Sequence, residues 1–147
     1  MCIRDSIFFA APVGSRYAAL DQIDLAACAE ERFVTLSEGF VTYSGFVDSF
    51  RIAGFTPNVV MKTGDIFSLM NLVSGGIGCT LLPGRIRGVL PRDIQLIPLQ
   101  PRYRMQQQIG MSFLRTRERD PNLLSLLAAC RQFANDVERG GGGVFTG

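Results

Sequence analysis

The chain of 147 residues carries 15 basic and 13 acidic side chains, a formal net charge of +2, with 47% apolar and 19% charged residues. Folding at this length removes roughly two-thirds of the unfolded surface, so a real core is possible and a disordered chain is excluded, while so small a positive margin gives no footing to a nucleic-acid face. Histidine is absent, which removes the commonest general base, the Ser–His and Cys–His couples and most catalytic zinc sites.

In chain order, Met1–Ser6 does not read as a natural start and is set aside as a non-native leader. Ile7–Ala10 is a short apolar strand ending at Pro12. A connector follows, with a short helical turn over Leu25–Ala29, and then a second strand over Phe33–Leu36. Tyr43–Ala53 reads as a helix, with Phe46, Phe50 and Ala53 at the spacing of one helical face and Gly54 as its left-handed stop. Asn58–Lys62 is a strand. Thr63 or Asp65 then caps a helix whose Ile66, Leu69, Met70 and Val73 fall on one face. Cys79–Leu82 and Gln95–Leu99 are further strands, and Gln108–Leu114 alternates, with Ile109, Met111 and Phe113 on one side. Asp120 as N-cap and Pro121 at the first helical position start a last helix, which presents Leu123, Leu127, Cys130 and Ala134 on one face. The tail over 140–147 is glycine-rich and reads as flexible.

The order β, β-α, β-α, β, β, β, α predicts an α/β fold with a mostly parallel sheet flanked by helices. The apolar runs fall short of the roughly 20 residues that a membrane helix needs, so no membrane partner is expected. Cys2, Cys28, Cys79 and Cys130 form no C-x-x-C pair. They are expected to be reduced and structural, in a cytoplasmic setting, and neither a metal nor a cofactor is expected.

The stretch Leu72–Gly84, LVSGGIGCTLLPG, places its glycines after a helix and before a strand. A phosphate-binding loop has the reverse order, strand then glycines then helix. The carboxyl end of a helix also carries partial negative charge. The glycines therefore read as a helix ending that feeds a buried strand.

"LMNLVSGGIGCTLLPG" resembles the "LVAAGLGIALLP" segment of LysR-type transcriptional regulators, in their effector-binding domain. "DQIDLAACAEERFVTLSEG", "VDSFRIAGFTPNVVMKTGD", "LPRDIQLIPLQ", "QIGMSFLR" and "RDPNLLSLLAACRQFA" are similar, in order, to further segments of that domain. The resemblance covers about Ile7–Asn135, and "RFVTLSEGF" with "LLPGRI" resembles regulators of malonate or similar small-acid utilisation. It implies a periplasmic-binding-protein-like α/β fold with one complete subdomain, 12–115, plus 7–11 and 116–139 from another. It further implies a small organic acid effector, a homodimer or tetramer in full-length form, and DNA contact only through an N-terminal domain that this chain does not include. A solute-binding protein and a small α/β enzyme are the competing readings.

In open α/β sheets ligands sit at the carboxyl ends of the strands. The resemblance brings Thr63 and Pro57 to a ligand site, and geometry adds Ser37, Gly64 and Phe67. Three of them have a plain alternative: Thr63 as an N-cap, Ser37 in an ordinary turn, Phe67 in the core. Arg85 and Arg87, beyond Pro83, read either as an anion-attracting pair or as a solvated face.

Overall fold

The structure, a computed structural model, describes residues 2–140, with side chains described over 5–136. Among the described residues six strands and three α-helices follow one another: β1 (Cys2–Pro12), β2 (Arg32–Leu36), α1 (Val41–Ala53), β3 (Asn58–Thr63), α2 (Ile66–Ser74), β4 (Thr80–Pro83), β5 (Ile94–Pro98), β6 (Gln106–Gly110) and α3 (Pro121–Gly140). This is the order predicted from the sequence. The tail expected over 140–147 lies outside the described residues, apart from Gly140 at the end of α3.

β1 is longer than its apolar run and is the one reversed strand of the core. It pairs antiparallel with β4 through Ile7–Ala10 and with β5 through Phe8–Pro12. Residues 7–11, assigned on resemblance to a separate subdomain, thus form the centre of this sheet. The outer half of β1, Cys2–Ser6, pairs antiparallel with β6. β2 and β3 pair in parallel, and a parallel bridge from Phe33 to Cys79 joins β2 to the entrance of β4. Four core strands therefore point one way, and the expectation of a mostly parallel sheet holds for their direction.

Successive residues of these strands serve opposite faces, as a pleated strand requires. Phe9, Phe33, Leu81 and Ile97 enter one core with Phe46 and Phe50 of α1, and Ala10, Val34, Leu82 and Leu96 enter the other with Leu69, Met70 and Val73 of α2. Strands covered on both faces read as continuous apolar runs. In the first core Phe33 stacks edge-on against Phe50 at 4.7 Å, Phe46 at 6.0 Å and Phe9 at 6.4 Å between ring centroids.

Helix ends follow the local sequence. Gly54 ends α1 in the left-handed conformation, φ 84°. Gly76, φ 73°, ends α2: its N–H donates to Val73 O at 2.9 Å, and Ile77 N–H donates to Leu72 O at 3.0 Å. That bond pair is a Schellman ending, which satisfies carbonyls the helix leaves free. The glycines thus close a helix and lead into buried β4, as the sequence predicts. Asp120 caps α3 through the N–H groups of Asn122 and Leu123. On α3, Leu127 and Ala134 are buried, whereas Leu124, Leu126 and Phe133 are exposed.

β6 departs from its pattern. Ile109 in the strand and Phe113 beyond its end are exposed, and the buried residue of the strand is Gln107. The strand ends at Gly110 and pairs with the outer half of β1, away from both cores.

Burial raises the thiol pKa of Cys28 and pushes that of Cys79 up to about 12, so both remain neutral thiols. Asp24 joins the turn after β1 to the later chain: the Tyr103 hydroxyl donates to its carboxylate at 2.6 Å, as do Arg102 Nη2 at 2.6 Å and Ala26 N–H at 3.1 Å. These donors, Tyr103 foremost, hold the Asp24 carboxyl below the usual carboxylate range. A depressed folded-state pKa contributes stability above the unfolded value of about 4 and loses it as pH falls through the folded value. Asp24→Asn is therefore expected to lower the melting temperature at pH 7 and to flatten its decline below about pH 4, in thermal melts over pH 2–7. An unchanged acid limb would dismiss this role for Asp24.

Candidate functional site

The parallel strands end on one rim, and the side chains gathered there are polar. β2 ends at Leu36 opposite Thr63 of β3. Just beyond, Ser37 donates to Thr63 O twice, from its N–H at 2.9 Å and from its hydroxyl at 3.1 Å. Ser37, Thr63 and Gly64 therefore lie together. Phe67 is on the first turn of α2 and is 60% exposed, so it is available at the rim and is not core.

Pro57 is not brought there. It precedes Asn58 at the other end of β3, and six residues of strand, at about 3.3 Å each, separate it from Thr63. Thr63 closes β3 and does not cap α2. The N-cap is Asp65, whose Oδ1 accepts from Ser68 N–H at 2.8 Å. Hydrogen bonding from Ser68, its hydroxyl foremost and its main-chain N–H next, holds the Asp65 carboxyl below its usual range. The start of α2 thus already has its own carboxylate, and the anion seat expected from free N–H groups at that helix start is partly filled. Lys62 and Glu38 form an exposed pair at 3.5 Å.

The cationic part of the rim lies at the end of β4. Ile7 faces Pro83 in the β1–β4 ladder, and Asp5 faces Gln107 in the β1–β6 ladder. Arg85 bridges these strands: its Nη1 donates to Asp5 Oδ2 at 3.1 Å and to Gln107 Oε1 at 3.2 Å, and its main-chain N–H donates to Asp5 Oδ2 at 3.2 Å. The Arg87 guanidinium stacks over the Phe8 ring at 4.5 Å. Arg85 is therefore more than a solvated face. Sequence reading left Asp5 and Gln107 out, because only long-range strand pairing brings them to Arg85. Among the described residues no group of three or more His, Cys, Asp or Glu side chains is placed to hold a metal ion.

On the rim the Ser37 donors are spent on Thr63 O and the Ser68 N–H on Asp65, which leaves Arg85, paired with Asp5, as the group there best able to meet an anion. The profile of the LysR substrate binding domain matches residues 2–135. The chain is 45% identical over 135 residues to the malonate utilization transcriptional regulator of Klebsiella pneumoniae, covering 92% of this chain and 44% of that protein. It thus spans less than half the length of that curated relative. The fold is similar to the CcmR regulatory domain of Synechocystis PCC6803 in complex with 2-PG, with TM-score 0.68 and 15% identity over 87% of this chain and 64% of the other. It is also similar to the effector binding domain of QuiR in complex with shikimate, with TM-score 0.60 and 14% identity over 67% of this chain and 47% of the other.

Proposed function

The chain belongs to the LysR substrate-binding domain family, and from that premise we propose that it senses a small dicarboxylate, malonate or a close analogue, at the rim formed by Ser37, Thr63, Gly64, Phe67 and Arg85. The relatives it matches are transcriptional regulators, not enzymes, and its fold is the periplasmic-binding-protein-like α/β fold of their effector domains, in part.

The observation that carries the reading is the 45% identity to a malonate regulator across nearly the whole chain. The Arg85 guanidinium and main-chain N–H, which already act together on one carboxylate oxygen, support it, since a carboxylate is bound best by charged and main-chain N–H donors acting together. In the proposed mechanism the effector lies between this unit and a second subdomain, and its binding favours the closed arrangement, which shifts the disposition of DNA-binding domains outside this chain. α3 belongs with that second subdomain in this reading, and its exposed Leu124, Leu126 and Phe133 fit a helix that lacks its cover. Among the described residues β3 pairs with β2 alone and exposes Val60 and Met61, which suits self-association into a dimer or tetramer along that edge. No described helix is long and apolar enough to cross a membrane, in keeping with a cytoplasmic regulator.

A thermal-shift titration tests the effector. Malonate at about 100 times its dissociation constant is expected to stabilise the protein by about 2.7 kcal/mol, whereas acetate at the same ionic strength leaves the melting temperature unchanged. Equal response to both, or to neither, would sink the proposal.

A further inference from the structure

Arg85 and Gln107 have an arrangement that the general polarity of the rim does not explain. Two donors of one residue, the Arg85 N–H and Nη1, converge on a single oxygen, Asp5 Oδ2, at 3.2 and 3.1 Å. The neighbouring glycine makes that approach possible. A Cβ on Gly84 would come within 2.7 Å of the Phe8 ring and 3.1 Å of Asp5 Oδ1. The third wall is Gln107, only 8% exposed. Its Oε1 accepts from Arg85, while its Nε2 is buried without a hydrogen-bond partner. Buried amide donors are nearly always satisfied, so an unpartnered one beside a guanidinium calls for an explanation. Together these groups form a carboxylate cradle with one donor still unused.

We propose that the Arg85 main-chain N–H, its guanidinium and the Gln107 amide are the carboxylate anchor of the effector site, and that Asp5 holds it as an internal stand-in which an effector carboxylate displaces. This rests on the dicarboxylate reading above. The exchange is one carboxylate for another on Arg85, with Asp5 turning out to solvent. It needs no change of protonation. The incoming carboxylate has two oxygens, one for the Arg85 pair and one for the idle Gln107 Nε2. Arg87, stacked on Phe8, adds a second positive charge close by.

Malonate affinity, measured by calorimetry at fixed ionic strength on the full 147-residue chain and its variants, tests the exchange. Asp5→Ser removes the competitor and is expected to tighten malonate about tenfold. Adding Arg85→Gln to that variant is expected to lose about tenfold or more, and Arg85→Lys to lose less. Circular dichroism melts establish that each variant is folded. If Arg85→Gln does not fold, Asp5→Ser alone decides. Malonate binding that is the same in Asp5→Ser as in the unmodified chain would overturn the anchor while leaving the proposed function standing. An absence of malonate binding in every form would overturn the function and the anchor together.

Discussion

Phe33→Ala is expected to lower stability by about 4 kcal/mol. The ring is fully buried and lies where three elements meet: it belongs to β2, meets Phe9 of β1, and packs under Phe46 and Phe50 of α1. Truncation removes the transfer energy of the ring and leaves a cavity whose walls are held by strands on either side. It also removes three aromatic contacts with centroids 4.7–6.4 Å apart, each worth about 0.5–1.5 kcal/mol beyond burial. Phe33→Leu keeps most of the volume and is expected to cost about 1–2 kcal/mol. Urea unfolding of the two variants checks this. A loss below about 2 kcal/mol for alanine would show that α1 can settle into the vacated space.

Gly78→Ala is expected to cost about 2–3 kcal/mol for the opposite reason, because an atom is added where no space exists. A Cβ there would lie 2.8 Å from Arg32 O, 3.1 Å from Arg32 C and 3.2 Å from Phe33 C, all main-chain atoms that cannot rotate away. The same step of chain holds the bridge between β2 and β4, in which Cys79 N–H donates to Arg32 O and Val34 N–H to Cys79 O, both at 2.9 Å. Relieving the clash would pull this bridge apart. Gly14→Ala, at a site with nothing within 4 Å, is the control and should change stability by less than about 0.5 kcal/mol. Equal melting temperatures for the two variants would refute the close-approach role of Gly78.

What was legible in the sequence is what nearest neighbours along the chain decide. Asp120 before Pro121, Gly54 after Ala53 and the Gly75–Gly76 pair each fix a helix end through bonds spanning a few residues. The heptad-like spacing of Ile66, Leu69, Met70 and Val73 likewise placed α2. The element order followed, and with it the rim holding Ser37, Thr63 and Gly64. The reversed direction of β1 was not legible, because its neighbours β4 and β5 lie far along the chain. Alternation in β6 identified an apolar side but not whether anything would cover it, and Ile109 and Phe113 are exposed. Pro57 followed a resemblance, and the length of β3 carries it away from the rim. Arg85 was visible only as a charge after Pro83. Its partners, Asp5 and Gln107, come from β1 and β6, one before and one after it in the chain.

The antiparallel placement of β1 between β4 and β5 also governs how this protein comes into being. β1 comes before both of its sheet neighbours along the chain, and it must wait for Thr80–Pro83 and Ile94–Pro98 before either flank exists. The ribosome must add roughly 70 to 90 further residues before Phe8 and Phe9 find shelter, so nascent chains ending before about residue 98 carry an uncovered apolar strand. Such a topology makes slow, late acquisition of structure the rule, because distant segments must close large loops first. It also exposes the newborn chain to chaperones in that interval.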